Sequence, residues 1–505
     1  MNLSASSTRA PTHPCTPAPA QPRDIYPKTF YWTTKVESFF NGTLGETSFQ
    51  KATLENSNLA VAKPNQPAQQ FKTPSGTIHH LQKQIKTPRN DETPSTKGNK
   101  VAPHKISRHA STFIFITVLI DAIGIGIIMP VMPDLLRELT NLPISEAAFW
   151  GGYLSFIFAL MQFGFGPTVG NISDVFGRRP VLLASLGVLA VDYVIMGFAP
   201  SLWVLFVGRA IAGLAGATRS TANAFMTDIS ARGDRAKNFG MLGAAFGLGF
   251  VIGPVVGGIA GEYGARVPFF VAAAFAGLNF IYGAIVLPES LAPENRRSFD
   301  WARANPLGVA KQLSKFKGIG SLILAIFIFD VAHFVSPAVW AYFTKEAFGW
   351  STAEVGISLA TVGVGFAIVQ GVLMGPVLKK IGEKNTVLLG FAVSIVGLIV
   401  LAFATKGWML YAAMPLTVFG AIITPALTGV ISHLIPDNAQ GELQGALTAI
   451  MGITLIVSPL LMTQLFGYFS QEGAPIYFPG APFLFSSVLM AVAMAVFSYG
   501  CRGRA

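Results

Sequence analysis

From residue 111 onward, apolar runs long enough to cross the hydrocarbon core of a bilayer, which takes about 20 residues, recur with only short polar breaks. They fall at 112–132, 146–169, 181–199, 201–224, 236–262, 267–289, 318–343, 353–377, 386–404, 407–433, 442–468 and 480–500, twelve in all. In lipid, each run has to satisfy its backbone polar groups internally, which a helix does. The expected fold is therefore an all-α membrane protein with twelve transmembrane helices. Composition agrees, with 51% hydrophobic and only 12% charged residues, about half the charged share of a soluble domain. Glycine and alanine are frequent inside the runs (AGLAGA, GLGFVIG, VGVGF). They would weaken soluble helices, but in lipid small residues let neighbouring helices approach closely.

The pattern stops before residue 111. Stretches such as TPAPAQP, VAKPNQPAQQ and TPRNDETPSTKGNK lack sustained apolar periodicity, so 1–110 is expected to be a disordered N-terminal extension with too little apolar surface to offset the entropy of ordering. It has no apolar core of a secretory signal. Its first 23 residues contain no acid, so an organelle transit peptide and a start codon assigned too far upstream both stand as readings. The net charge of +11 is concentrated here, with fourteen Lys/Arg against six Asp/Glu in 1–108 and only +3 left for the remainder. A nucleic-acid partner is therefore not expected. Cys15 and Cys501 offer neither a disulfide framework nor a metal site, and nothing in the chain calls for a cofactor.

Basic residues orient the spans. If the tail is cytoplasmic, sixteen Lys/Arg fall on the cytoplasmic side after it and four (Arg137, Arg266, Lys345, Lys406) on the other, the asymmetry that positive-inside topology produces. Both termini then lie in the cytoplasm. The longest break, 290–317, reads as a cytoplasmic linker between an N-terminal half, 111–289, and a C-terminal half, 318–505. An internal repeat supports this division: GPTVGNISDVFGRRPVLL at 166–183 follows the second run, and GPVLKKIGEKNTVLL at 375–389 follows the eighth. The two share the GP start, a central glycine, basic residues and the closing VLL, at the same place in a six-helix unit, as parallel repeats of a transporter require.

GNISDVFGRRPVLL, with GRAIAGLAGA in the fourth run and GLGFVIGPVVGG in the fifth, resembles the major facilitator superfamily. FITVLIDAIGIGIIMPVMPDLL in the first run and AVWAYFTKEAFGW after the seventh are similar more closely to its tetracycline-efflux branch of drug:proton antiporters. The resemblance runs from about 112 to 500 and implies a fold of two six-helix halves. It also implies that the loop carrying Gly170, Asp174, Gly177, Arg178 and Arg179 latches the cytoplasmic side in one state and releases it in the other. By the same resemblance Gly249, Gly253, Pro254, Gly257 and Gly258 form the antiporter motif that seals the halves against proton leak. From the residues alone, the loop also serves as a topology anchor, and the glycines, four apart, as plain packing grooves. Val175 stands where relatives often carry a basic residue.

Ionisable residues inside the membrane are costly, about 2.5–3.5 kcal/mol each at mid-helix on insertion scales, and so mark function or pairing. Asp121 lies near the middle of the first run, Asp192 and Arg209 lie at similar depth on either side of Pro200, and Asp330 lies midway along the seventh. Asp192 and Arg209 are placed to neutralise one another, and Asp121 is the candidate for proton exchange. Gln162, Asp330, His333 and Phe334 are the polar and aromatic groups expected to face a central cavity. The resemblance supports Asp121, Gln162, Asp192 and Arg209 as the efflux family's polar positions. It departs at Ser394, where those exporters carry a carboxylate, and at Phe334, where they carry a glutamine.

The function implied is secondary active transport, most directly proton-coupled export of a tetracycline-like or other amphiphilic drug across the inner cell membrane. An organelle membrane follows instead if the tail is a transit peptide. The partners are then the bilayer, a small-molecule substrate and protons, and a single chain is expected to suffice. No G-x-x-x-x-G-K-[ST] loop is present for ATP. A proton-coupled metabolite carrier, in either direction, is the alternative within the class, and a membrane receptor or sensor on the same fold is the alternative outside it. An enzyme is disfavoured, because the adjacent histidines His79 and His80 lie in the tail and no H-E-x-x-H appears in a run.

Overall fold

The structure is a computed structural model that describes residues 108–216, 218–230, 234–301, 319–436 and 439–502. The disorder expected for the tail up to residue 107, and most of the 290–317 linker, lie outside the described residues. Among those residues the chain is helical, with eleven helices long and apolar enough to cross a membrane. One of them, Thr352–Ala402, has 51 residues; at 1.5 Å per residue it would be about 75 Å long, more than twice a hydrocarbon core of about 30 Å. It is hinged at Gly382, whose φ of 75° and ψ of 166° are not helical. The hinge divides it into two crossings, 352–381 and 383–402, and the bundle has twelve.

In chain order, spans 1 to 6 are Arg108–Ile128, Ile144–Phe176, Arg178–Phe198, Leu202–Ala215 continued by Thr218–Ile229, Arg235–Gly261 and Val267–Val286. Span 7 is Gly320–His333 continued by Val335–Phe348, spans 8 and 9 are the hinged pair, and span 10 is Gly407–Phe419 with Ile423–Ser432. Spans 11 and 12 are Gln440–Ser470 and Ala481–Arg502. Within the halves, span 1 packs on span 5, span 3 on span 6 and span 7 on span 12; across them, span 2 meets span 11 and span 5 meets span 8. The end carrying the 170–179 loop is called the basic end below, and the opposite one the far end.

Five local features were not foreseen in the apolar runs. The first span starts at Arg108, inside the segment expected to be disordered, and stops at Ile128. It is followed by a short amphipathic helix, Met132–Thr140, that buries Leu135 and Leu136 and closes on Asn141 at φ 54°. Span 7 breaks at Phe334, because Pro337 has no N–H to bond the His333 carbonyl one turn earlier. Span 4 breaks at Gly216. Span 8 carries a π turn at Val369–Leu373, a feature often found at functional sites.

Candidate transport site

The loop between spans 2 and 3 turns on Gly177, whose φ of 105° and ψ of 163° belong to a region essentially reserved for glycine. The turn aims the first N–H groups of span 3 at Glu289, just past the end of span 6. Glu289 accepts from Arg178 N at 2.8 Å and from Arg179 N at 3.2 Å, filling a helix N-terminus with negative charge. The Arg178 side chain reaches Asp174 at 2.6 Å and Asp228, at the end of span 4, at 3.2 Å. Arg179 donates to the Ala284 carbonyl at 2.8 Å. The start of the linker is tied to the same loop, through Arg297 N to the Asp174 carbonyl at 3.1 Å and Asn171 Nδ2 to the Asp300 carbonyl at 2.7 Å. Gly170 lies in open space at this end. Gly382 stands at the matching place in the second half; Glu383, the next residue, sits 3.4 Å from His433 at the end of span 10. The repeat thus sets the residue after the glycine against the end of the second helix beyond it in both halves, Arg178 against Asp228 in the first and Glu383 beside His433 in the second.

Inside the N-terminal half, Asp192 and Arg209 are ion-paired, and the arginine also lies over the Phe158 ring, 5.4 Å from its centroid. Asp192 is fully buried. A Cβ at Gly208 would come within 2.7 Å of its Oδ1, so close packing of span 4 on span 3 holds the pair in place. Gln162 donates to the Gly216 carbonyl at 2.9 Å, satisfying backbone freed where span 4 breaks. Asp121 is half-buried on span 1, and the buried Tyr193 hydroxyl of span 3 sits against Gly124 of the same span 1.

The span 5 residues expected to form an antiporter motif divide between two neighbours. Gly249, Gly253 and Gly257 press on the backbone of span 1, whereas Gly258 faces span 8 across the halves. A Cβ at Gly258 would lie 2.8 Å from the Thr352 carbonyl, and the Pro254 carbonyl in turn presses on Gly356. The backbones of the two halves touch there, as only glycines allow.

In the C-terminal half, Asp330, His333 and Phe334 cluster at the break in span 7. Asp330 is buried, and its carbonyl accepts from Phe334 N at 3.0 Å. Ser458 of span 11 donates to the neighbouring Val331 carbonyl at 2.7 Å. His333 stacks on Phe329 at 5.3 Å and meets Phe366 of span 8 at 5.9 Å. Ser394 of span 9 is buried against Gly420 of span 10.

Hydrogen bonds join the halves at the far end. Lys345 and Thr352 bond Asp134, Glu262 accepts from Ala353 N at 2.8 Å, and Gln464 donates to the Phe149 carbonyl at 3.4 Å. Toward the basic end, by contrast, a Cβ on Gly166 of span 2, Gly243 or Gly247 of span 5, or Gly371 or Gly375 of span 8 would meet nothing within 4 Å. Among the described residues, the side-chain hydrogen bonds that join the halves lie at the far end. Sequence reasoning singled out neither Glu289 nor Tyr193, and of the far-end contacts it named only Lys345, as a marker of topology. A carboxylate at the close of span 6 and a lysine in the last turn of span 7 were the available signals.

Two repeated six-helix halves, with ionisable side chains held inside the spans and one end closed, make this a multi-pass membrane transporter. The family model of the Major Facilitator Superfamily matches it twice, over 114–335 and 322–502, once through each half. It is 41% identical to the tetracycline resistance protein, class C, of Escherichia coli over 360 residues, covering 71% of this chain and 90% of that one. To the class G protein of Vibrio anguillarum it is 40% identical, covering 71% and 91%. Among solved structures it resembles the nucleoside transporter NupG, with TM-score 0.65 at 11% identity over 78% of this chain and 99% of that one. The chain belongs to the Major Facilitator Superfamily and, within it, to the family of the tetracycline resistance proteins.

Proposed function

We propose that this chain exports a tetracycline-like or other amphiphilic drug from the cytoplasm in exchange for protons. The observation that carries the reading is its 41% identity to the class C tetracycline resistance protein across 90% of that protein's length. The sixteen-to-four distribution of basic residues supports a cytoplasmic basic end, with both termini on that side of the inner cell membrane and 290–317 linking the halves. A drug enters between the halves from the cytoplasm or inner leaflet, and Gln162, Asp330, His333 and Phe334 supply polar and aromatic contacts. Asp121 takes up and releases the coupling proton, and the Asp192–Arg209 pair takes part in the coupling. The 170–179 loop steadies the cytoplasmic ends, and the span 5 glycines keep the far side sealed. A single chain carries all of these groups.

The test is drug accumulation in inverted membrane vesicles energised with a proton gradient, using tetracycline and several unrelated amphiphilic drugs, with Asp121→Asn alongside. Accumulation that collapses with the gradient and with the substitution is expected. Transport of none of the compounds would remove the drug assignment and turn the search to metabolites. Normal transport by Asp121→Asn would move the coupling site elsewhere.

A further inference from the structure

We propose that Asp134, Lys345 and Thr352 form a lock that holds the far end shut and has to break each time the bundle opens to that side. The sequence prepares each part. Pro133 and Asp134 occupy the first turn of the Met132–Thr140 helix, whose Leu135 and Leu136 anchor it to the core of the bundle. Lys345 lies in the last turn of span 7, which closes on Gly349 at φ 65°. Acids in first turns and bases in last turns suit the helix dipoles. Thr352 opens span 8 behind the Ser351–Glu354 capping box. Folding brings the three into a ring that spans the halves. Lys345 Nζ donates to Asp134 Oδ2 at 2.7 Å and to Thr352 Oγ1 at 2.8 Å, and Thr352 Oγ1 donates to Asp134 Oδ2 at 2.9 Å. The lysine side chain is only 6% exposed.

Two features make this a lock rather than a static brace. Lys345 is buried and the Asp134 carboxylate half-buried, and a buried charge left without its partner is poorly tolerated in a dry interior. Here, however, a hollow of about 720 Å³ lined by Asp134, Arg137, Glu138 and Asn141 opens beside the ring. Water from the far side reaches the carboxylate, so the charges are hydrated as they part. The ring also works with neighbours that break along the same seam: Glu262 on the Ala353 N–H and Tyr342 seated on Gly151. Contacts that are lost together produce two discrete arrangements rather than a gradual opening. The inference rests on the transporter reading but not on which compound is carried.

The experiment is pulsed electron–electron distance measurement between spin labels at Tyr263→Cys and Glu472→Cys, exposed positions on opposite halves at the far end, in protein reconstituted in lipid with Cys15 and Cys501 replaced by serine. With the ring intact, the short-distance population dominates. Asp134→Asn and Lys345→Met should each shift the closed-to-open ratio by about tenfold or more, the size usual for a coupling contact. Thr352→Val should shift it less, and the exchange Asp134→Lys with Lys345→Asp should return it toward the closed state. Unchanged distributions in both neutralised variants overturn the lock, as does an exchange variant that behaves like the single ones. Drug flux in the unsubstituted protein, measured in parallel, reports on the export reading separately, since the distances are read whether or not any drug is moved.

Discussion

Gly177 and Gly382 hold the same backbone conformation at the same place in the two halves, with φ 105° and ψ 163° at the first and φ 75° and ψ 166° at the second. Each lets one helix end and the next begin without an intervening loop, so the two spans stay tightly joined at the basic end. Their surroundings differ. A Cβ at Gly177 would press on the Glu289 carboxylate and come within 3.2 Å of Arg296, whereas one at Gly382 meets nothing within 4 Å.

Gly382→Ala should therefore cost only backbone strain, about 1–3 kcal/mol. Gly177→Ala should cost more, because it also displaces Glu289 from the start of span 3. Thermal unfolding of both variants in one detergent tests this; equal losses would mean that the Glu289 contact contributes nothing.

Glu289→Gln keeps the shape and removes the charge from the two N–H groups of span 3. A loss of about 0.3–1 kcal/mol is expected, rising toward 2 if the site is well shielded. The difference from the unsubstituted protein should shrink as salt is added. A loss that persists undiminished at high salt would point to packing instead.

Arg209→Met strands Asp192 in the bundle and should destabilise the protein by about 3–5 kcal/mol, read as loss of folded protein on size-exclusion chromatography. Asp192→Asn with Arg209→Gln should recover most of that yield. If the double variant also loses drug transport while folding normally, the pair acts in coupling beyond its structural role.

Gln162→Leu removes the donor to the Gly216 carbonyl, a loss of about 0.5–1.5 kcal/mol for an ordinary hydrogen bond. If Gln162 serves only the break in span 4, the KM for the exported drug should stay unchanged while Tm falls. A raised KM at unchanged Tm would instead place this side chain on the substrate.

Much of the fold was legible because lipid leaves a chain little choice. Runs of apolar residues with no water to satisfy their backbone become helices, and the basic residues between them distinguish the two ends. The meeting of Asp192 and Arg209 was legible too: two opposite charges at equal depth on adjoining spans have few other ways to avoid an isolated charge in hydrocarbon. The helix breaks were harder to read. Pro337 signals a lost hydrogen bond, but many intramembrane prolines are accommodated without a break, and only packing around Phe334 and the Ser458 bond to Val331 decide the outcome. The short Met132–Thr140 helix escaped notice because its amphipathic pattern merges with the apolar run before it.

By itself the sequence determined twelve crossings, their pairing into two repeats, and which few side chains must be ionisable inside the membrane. These follow from local hydropathy and from the high cost of an unpaired polar group in lipid, which depend on each segment alone. Tertiary structure decided which glycines of span 5 face span 1 and which face span 8, how Glu289 caps span 3, and that Asp134 meets Lys345 across the seam. Such contacts depend on how helices rotate and approach one another. Many sequence-distant side chains settle that rotation together, and no single segment encodes it.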